Sequence, residues 1–144
     1  MNKIIDDEVS ELRNSIVALA RALKQPARSE SEPWTNLMAL GIIERANGNI
    51  TPSEIGAALD IRSSNMASLL KDLAERGLID RQADSQDKRK TLLSITASGL
   101  ELIRNSRKKR DQWLHEAMQC LSSEEQQQLI AAGKLMQRIA TPKK

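Results

Sequence analysis

Leu78 and Ile79 are separated from Leu92, Leu93 and Ile95 by DRQADSQDKRK, residues 80–90, a run with almost nothing to bury. Apolar segments on both sides of such a run suit a protruding hairpin, with strands at Leu78–Ala83 and Thr91–Ile95 and a charged tip between them. What precedes it narrows the fold further. In TPSEIGAALDI, Thr51 reads as an N-cap, Pro52 takes the first helical position and Glu54 completes a capping box. Ile55, Ala58 and Leu59 are the expected apolar face of this short helix. DIR (60–62) is a three-residue turn. The next helix starts at Ser63 and stops at Gly77, with Leu78 as the hydrophobic follower of its C-cap. Met66, Leu69, Leu70 and Leu73 form one face of it; Ser64, Asn65, Ser68, Lys71 and Asp72 form the other.

Two short helices at a tight turn, followed at once by strand, finger and strand, make a helix-turn-helix with a two-stranded wing. The flanking segments read as helices. From Asp6 to Gln25 the apolar residues Val9, Leu12, Ile16, Leu19 and Leu23 recur every three or four positions, a seam that needs a partner. Pro26 and Pro33 are expected to break the chain there. A helix follows from about Pro33 to Ala46, ended by Asn47–Asn49. Beyond the finger, Thr96 caps a long helix expected over Ala97 to Cys120. Ser122 to Glu125 cap a last one, with Leu129, Ala132, Met136 and Ile139 on one side. The fold class is mainly α with a small β wing. Residues 33–96 form a winged helix-turn-helix, and residues 1–32 and 97–144 form a helical dimerisation region built from both termini.

Composition agrees. With 144 residues, no Phe, no Tyr and two Trp, the core must be aliphatic, which suits helices in one modest domain. One cysteine excludes an internal disulfide framework and favours a reducing compartment. No apolar run approaches the roughly 20 residues that span a membrane, and the first residues lack the pattern of a signal peptide. A cytoplasmic location is expected, with no membrane partner. The net charge is only +3 although the pI is near 9.2, so the placement of charge matters more than its sum.

The second helix of the unit presents Arg62, Ser63, Ser64, Asn65, Ser68 and Lys71. Asn pairs bidentately with adenine, Arg with guanine, Ser with either, and small residues let a helix approach a groove closely. The same side chains also suit a generic polar face. The finger likewise reads either as a solvated loop or as an element that meets a polyanion.

The segment TPSEIGAALDIRSSNMASLLKDLAERGLIDR, followed by DKRKTLLSITASG, resembles the MarR family of bacterial transcriptional regulators. The likeness rests on Asp87 and Arg89 in the wing, on Thr96 and Gly99 after it, and on Leu73 to Arg81. It covers about Ile50 to Leu100. It implies a homodimer, a repressor in the first instance, on a pseudo-palindromic operator of double-stranded DNA. Helix Ser63–Arg76 would enter the major groove. Arg89 would enter the minor groove, with Arg81, Lys88 and Lys90 beside it and Asp87 orienting the bases. Thr51 and Ser53 would lie on the DNA backbone. Leu12, Ile16 and Leu19 with Leu129, Met136 and Ile139 would form the dimer interface. Many members respond to small aromatic acids; Trp34, Met38 and Trp113 are the candidate walls, with ordinary packing as the other reading.

His115 and Cys120, five apart on one expected helix, lie about 140° apart and cannot share a metal within one chain; Cys120 is expected as a buried thiol at the dimer seam. Arg107 falls on the apolar stripe Leu100, Ile103, Leu114 and Leu121, a register that suits either pairing with an acid across an interface or lining a cavity. No phosphate loop, metal-spaced cluster or nucleophile–base pair points to an enzyme or a cofactor. The alternative is a winged-helix interaction module without specific DNA binding. Between Thr51 and Thr96, Glu54, Asp60, Asp72, Glu75, Asp80, Asp84 and Asp87 balance Arg62, Lys71, Arg76, Arg81, Lys88, Arg89 and Lys90.

Overall fold

The computed structural model describes residues 3–28 and 32–141. Among the described residues, six α-helices and two strands follow in the order α1 (Lys3–Arg28), α2 (Trp34–Ala46), α3 (Pro52–Leu59), α4 (Ser63–Glu75), β1 (Ile79–Ala83), β2 (Thr91–Ile95), α5 (Ala97–Ala117) and α6 (Ser123–Ala140), with a 3-10 turn at Met118–Cys120 before α6. The chain divides into two compact units, one through Arg110 and one from Asp111 onward.

In the first unit, helix ends fall where local chemistry places them. Thr51 Oγ1 accepts from the Glu54 N–H at 3.3 Å, and the Glu54 carboxylate accepts from the Thr51 N–H, so two otherwise unpaired donors at the start of α3 are satisfied. Asp60, left-handed at φ 54°, ends α3 and turns the chain into α4. At the end of α4 the Leu78 N–H donates to the Leu73 carbonyl and the Gly77 N–H to that of Ala74. This is a Schellman closure, and it needs a left-handed residue, which Gly77 supplies at φ 72°. Leu73 and Leu78 are both buried beside it.

β1 and β2 pair antiparallel, from Ile79 opposite Ile95 to Ala83 opposite Thr91. The Leu93 N–H donates to the Ile50 carbonyl, which ties β2 to the segment between α2 and α3. The core is aliphatic: Leu37, Leu40 and Ile43 of α2 and Ile55 of α3 meet Met66, Leu70 and Leu73 of α4, with Ile79, Leu93 and Ile103 closing it. In the second unit, Ser122 and Glu125 form a capping box at the head of α6. The Ser122 N–H, donating to the Glu125 carboxylate at 2.9 Å, and after it the Ser122 hydroxyl hold the Glu125 carboxyl below its usual range.

The structure departs from several expectations. Pro26 does not end α1, which continues to Arg28; near a helix end a proline forfeits one hydrogen bond without forcing termination. The long helix stops at Ala117, and Cys120 sits in the 3-10 turn, exposed, its thiol donating to the Ala117 carbonyl at 3.2 Å. It is not a buried thiol in this chain. Ala58 is exposed; Ile55 and Gly56 are the buried face of α3. Leu78 lies just before β1 because its backbone serves the α4 closure and receives the Thr96 N–H. Arg107 pairs within its own chain, with Glu44 of α2 at 2.7 Å.

Candidate nucleic-acid interface

α4 is amphipathic in a useful sense. Met66, Leu70 and Leu73 bury one side. Arg62, Ser63, Ser64, Asn65, Ser68 and Lys71 all lie exposed on the outward side. Arg62 is the N-cap residue, but its side chain makes no cap bond. The head of the helix thus offers short side chains with donors and acceptors, and one guanidinium, to anything laid against it. At its α3 flank lies a concavity of about 290 Å³ lined by Ser53, Ala57, Asp60, Ser63 and Ala67 among others. Ser53 is exposed there. The Thr51 hydroxyl is engaged inside the capping box, donating to Glu54 at 3.0 Å.

The wing tip is ordered by its own acids. The Asp84 N–H donates to the Lys90 carbonyl, and the Lys90 N–H to that of Asp87. Asp84 Oδ1 accepts from the Gln86 N–H at 3.0 Å. Asp87 Oδ1 accepts from both the Arg89 N–H and Arg89 Nε at 3.1 Å, and Oδ2 from Nη2 at 3.4 Å. The Arg89 side chain and, after it, the Arg89 backbone hold the Asp87 carboxyl below its usual range, with Lys90 adding to the effect. Arg89 is nevertheless 91% exposed. The acid therefore aims the guanidinium without hiding it.

Charges sort by position. On α4, Lys71 pairs with Glu75 at 3.9 Å, and Arg76 with Asp72 and Glu32. Arg62, Arg81, Lys88 and Lys90 are exposed and form no ion pair among the described residues. The formal neutrality of residues 51–96 thus conceals unpaired bases at the head of α4 and along the wing.

The other candidate residues are placed as follows. Trp34 is half-buried, with Lys24 Nζ 5.7 Å and Arg110 Cζ 4.9 Å from its ring centroid. Met38 is 37% exposed. Trp113, also half-buried, belongs to the second unit. On α1, Val9, Leu12, Ile16 and Leu19 are exposed, and so is Val17, which the periodic reading omitted. On α6, Leu129 and Met136 are half-buried and Ile139 is 85% exposed. Ile130 and Leu135, off the expected stripe, are exposed as well. Among the described residues no cluster of His, Cys, Asp or Glu is arranged to hold a metal, and no helix is long and apolar enough to cross a membrane.

A tight two-helix corner, an exposed second helix and a two-stranded wing define a winged helix-turn-helix protein. Comparison with known proteins agrees. A family model described as the MarR family matches residues 33–90. An HTH-type transcriptional regulator of Mycobacterium bovis is 30% identical over 128 residues, 88% of each chain. The transcriptional repressor MprA of Escherichia coli is 33% identical over 107 residues, 73% of this chain and 61% of that one. The crystal structure of a transcriptional regulator from Pseudomonas aeruginosa superposes with a TM-score of 0.88 at 35% identity, covering 100% of both chains. The protein belongs to the MarR family of transcriptional regulators.

Proposed function

We propose that the protein is a sequence-specific, double-stranded DNA-binding repressor that acts as a homodimer on a pseudo-palindromic operator in the cytoplasm. Residues 33–96 bind DNA; residues 1–32 and 97–144 dimerise. α4 lies in the major groove with Asn65, Ser64, Ser68 and Arg62 at base edges and Lys71 at the groove wall. Arg89 enters the flanking minor groove, Arg81, Lys88 and Lys90 meet phosphates, and Thr51 and Ser53 lie along the backbone. The observation that carries this reading is the sorting of charge: the bases near the tail of α4 pair with neighbouring acids, while Arg62 at its head and Arg81, Lys88 and Lys90 on the wing are exposed and form no ion pair among the described residues, and Arg89, held by Asp87, stays 91% exposed. The exposed apolar face of α1 supports the dimer, which a two-half-site operator with centres about 34 Å apart requires. Repression is supported by the likeness to MprA.

Release by a small aromatic acid completes the proposal. Its support is Trp34, whose half-buried ring has two cations, Lys24 and Arg110, 5.7 and 4.9 Å from its centroid, and cations there would attract a carboxylate.

Selection of duplexes from a random-sequence library, followed by titration of the selected duplex against a scrambled one, tests the reading. A preferred palindrome and a salt slope flattened by about two when Lys88 or Lys90 becomes Ala are expected, one contact per protomer. Absence of any preferred duplex would leave the interaction-module reading, which the neutrality of residues 51–96 favours.

A further inference from the structure

Glu32 lies outside every motif of the DNA-binding unit, yet it is 6% exposed and carries a carboxylate. Burying a carboxylate is costly unless its oxygens are matched by donors. Here they are. Glu32 Oε1 accepts from Asn36 Nδ2 at 2.8 Å and from Arg76 Nη1 at 3.1 Å, and Oε2 accepts from Arg76 Nη2. Glu32 and Asn36 stand at the head of α2; Arg76, 44 positions along the chain, is the C-cap residue of α4. The fork-to-fork pair therefore fastens the tail of the proposed reading helix to the head of α2.

A buried ion pair adds little net stability, because desolvation cancels much of its attraction. What a bidentate guanidinium–carboxylate pair does supply is direction. Direction matters because α4, at about 1.5 Å per residue, places Ser63–Asn65 roughly 16–20 Å from Arg76, and a tilt of about 5° at the tail moves the head by about 1.5 Å. Hydrogen bonds to base edges do not survive such a shift, whereas phosphate contacts from long side chains do.

We infer that Glu32 is a positioning residue for operator recognition: through Arg76 it sets the angle of α4, and with it the discrimination between operator and random DNA. The inference rests on the DNA-binding reading above and deepens it.

The test measures dissociation constants by fluorescence anisotropy for a duplex selected by the unaltered protein and for a scrambled duplex, with thermal unfolding alongside. Glu32→Gln should cost about tenfold on the selected duplex and nothing on the scrambled one. Arg76→Lys keeps the charge but loses the fork, and should behave alike; it decides the matter should Glu32→Gln fail to fold. Asp72→Asn removes the other, intrahelical partner of Arg76 and should leave the ratio unchanged. Variants of Glu32 and Arg76 that keep the ratio, or that weaken both duplexes equally, overturn the inference while the DNA-binding reading stands. An unaltered protein that prefers no duplex overturns both.

Discussion

The hydroxyl of Thr96 donates a 2.6 Å hydrogen bond to the carbonyl of Gly77. The same oxygen accepts from the Gly99 N–H at 3.1 Å, so one side chain caps α5 and holds the end of α4. Gly99 is what lets the two segments meet: a Cβ there would lie 2.2 Å from the Leu78 carbonyl oxygen. Thr96→Val should cost about 1–3 kcal/mol by loss of two bonds, and Gly99→Ala about 2 kcal/mol or more by forcing backbone apart. Urea unfolding measures both. Midpoints equal to that of the unaltered protein would show that the latch is incidental.

The wing gives a prediction of counterintuitive sign. Asp87→Ala makes the protein more positive, and a simple solvated loop would then bind DNA equally or more tightly. Because Asp87 aims Arg89 through three hydrogen bonds, its removal should weaken operator binding. The carboxyl is held below its usual range, so this aiming persists at neutral pH and is lost only as pH falls through that lowered value. Tighter binding by the variant in a gel-shift titration would remove the wing from the interface.

Asn65→Ala separates reading from positioning. Asn65 is exposed, so fold should be unaffected. Loss of a bidentate base contact should cost about 1–3 kcal/mol on the operator and relax preference at one position per half-site. Equal weakening on operator and random duplexes would mean that the amide touches only the backbone.

The Glu44–Arg107 pair sets a pH dependence of stability. The Arg107 hydrogen bond is the main reason that the Glu44 carboxyl lies below its ordinary value of 4.5, with charges of Arg107, Arg104 and Arg45 assisting. A depressed carboxyl contributes stability that is fully present above pH 4.5 and fades as pH falls through the lowered value. With 38% and 26% of the two side chains exposed, the contribution is under about 1 kcal/mol. Glu44→Gln should lower the urea midpoint at pH 7 and lose its effect near pH 3. A constant difference across that range would assign the effect to packing.

Sedimentation should give about twice the 16.0 kDa chain mass at micromolar concentration. Ile16→Asp, at a position 42% exposed in the single chain, should yield a folded monomer by circular dichroism. A monomeric unaltered protein would remove the two-half-site geometry.

Much of the fold was legible because its signals are local. Thr51, Pro52 and Glu54 start a helix wherever they occur together. Gly77 followed by Leu78 stops one, and a charged run between apolar pairs must leave the core. Those rules placed α3, α4, both strands and the head of α6 within a residue or so. The outward side chains of α4 followed from the same periodicity that put Met66, Leu70 and Leu73 inside.

What tertiary structure alone decided are partnerships between residues distant in sequence. Nothing near Glu32 marks it as buried; its donors come partly from the far end of α4. Arg107 falls on an apolar stripe, and only the packing of α2 sets Glu44 against it. In the sequence Gly99 is marked only by the family likeness; packing alone brings the Leu78 carbonyl into the space of its Cβ. Local propensity acts over one or two turns of chain, whereas burial, ion pairing and close approach depend on which elements pack together, and that is settled by the whole core at once.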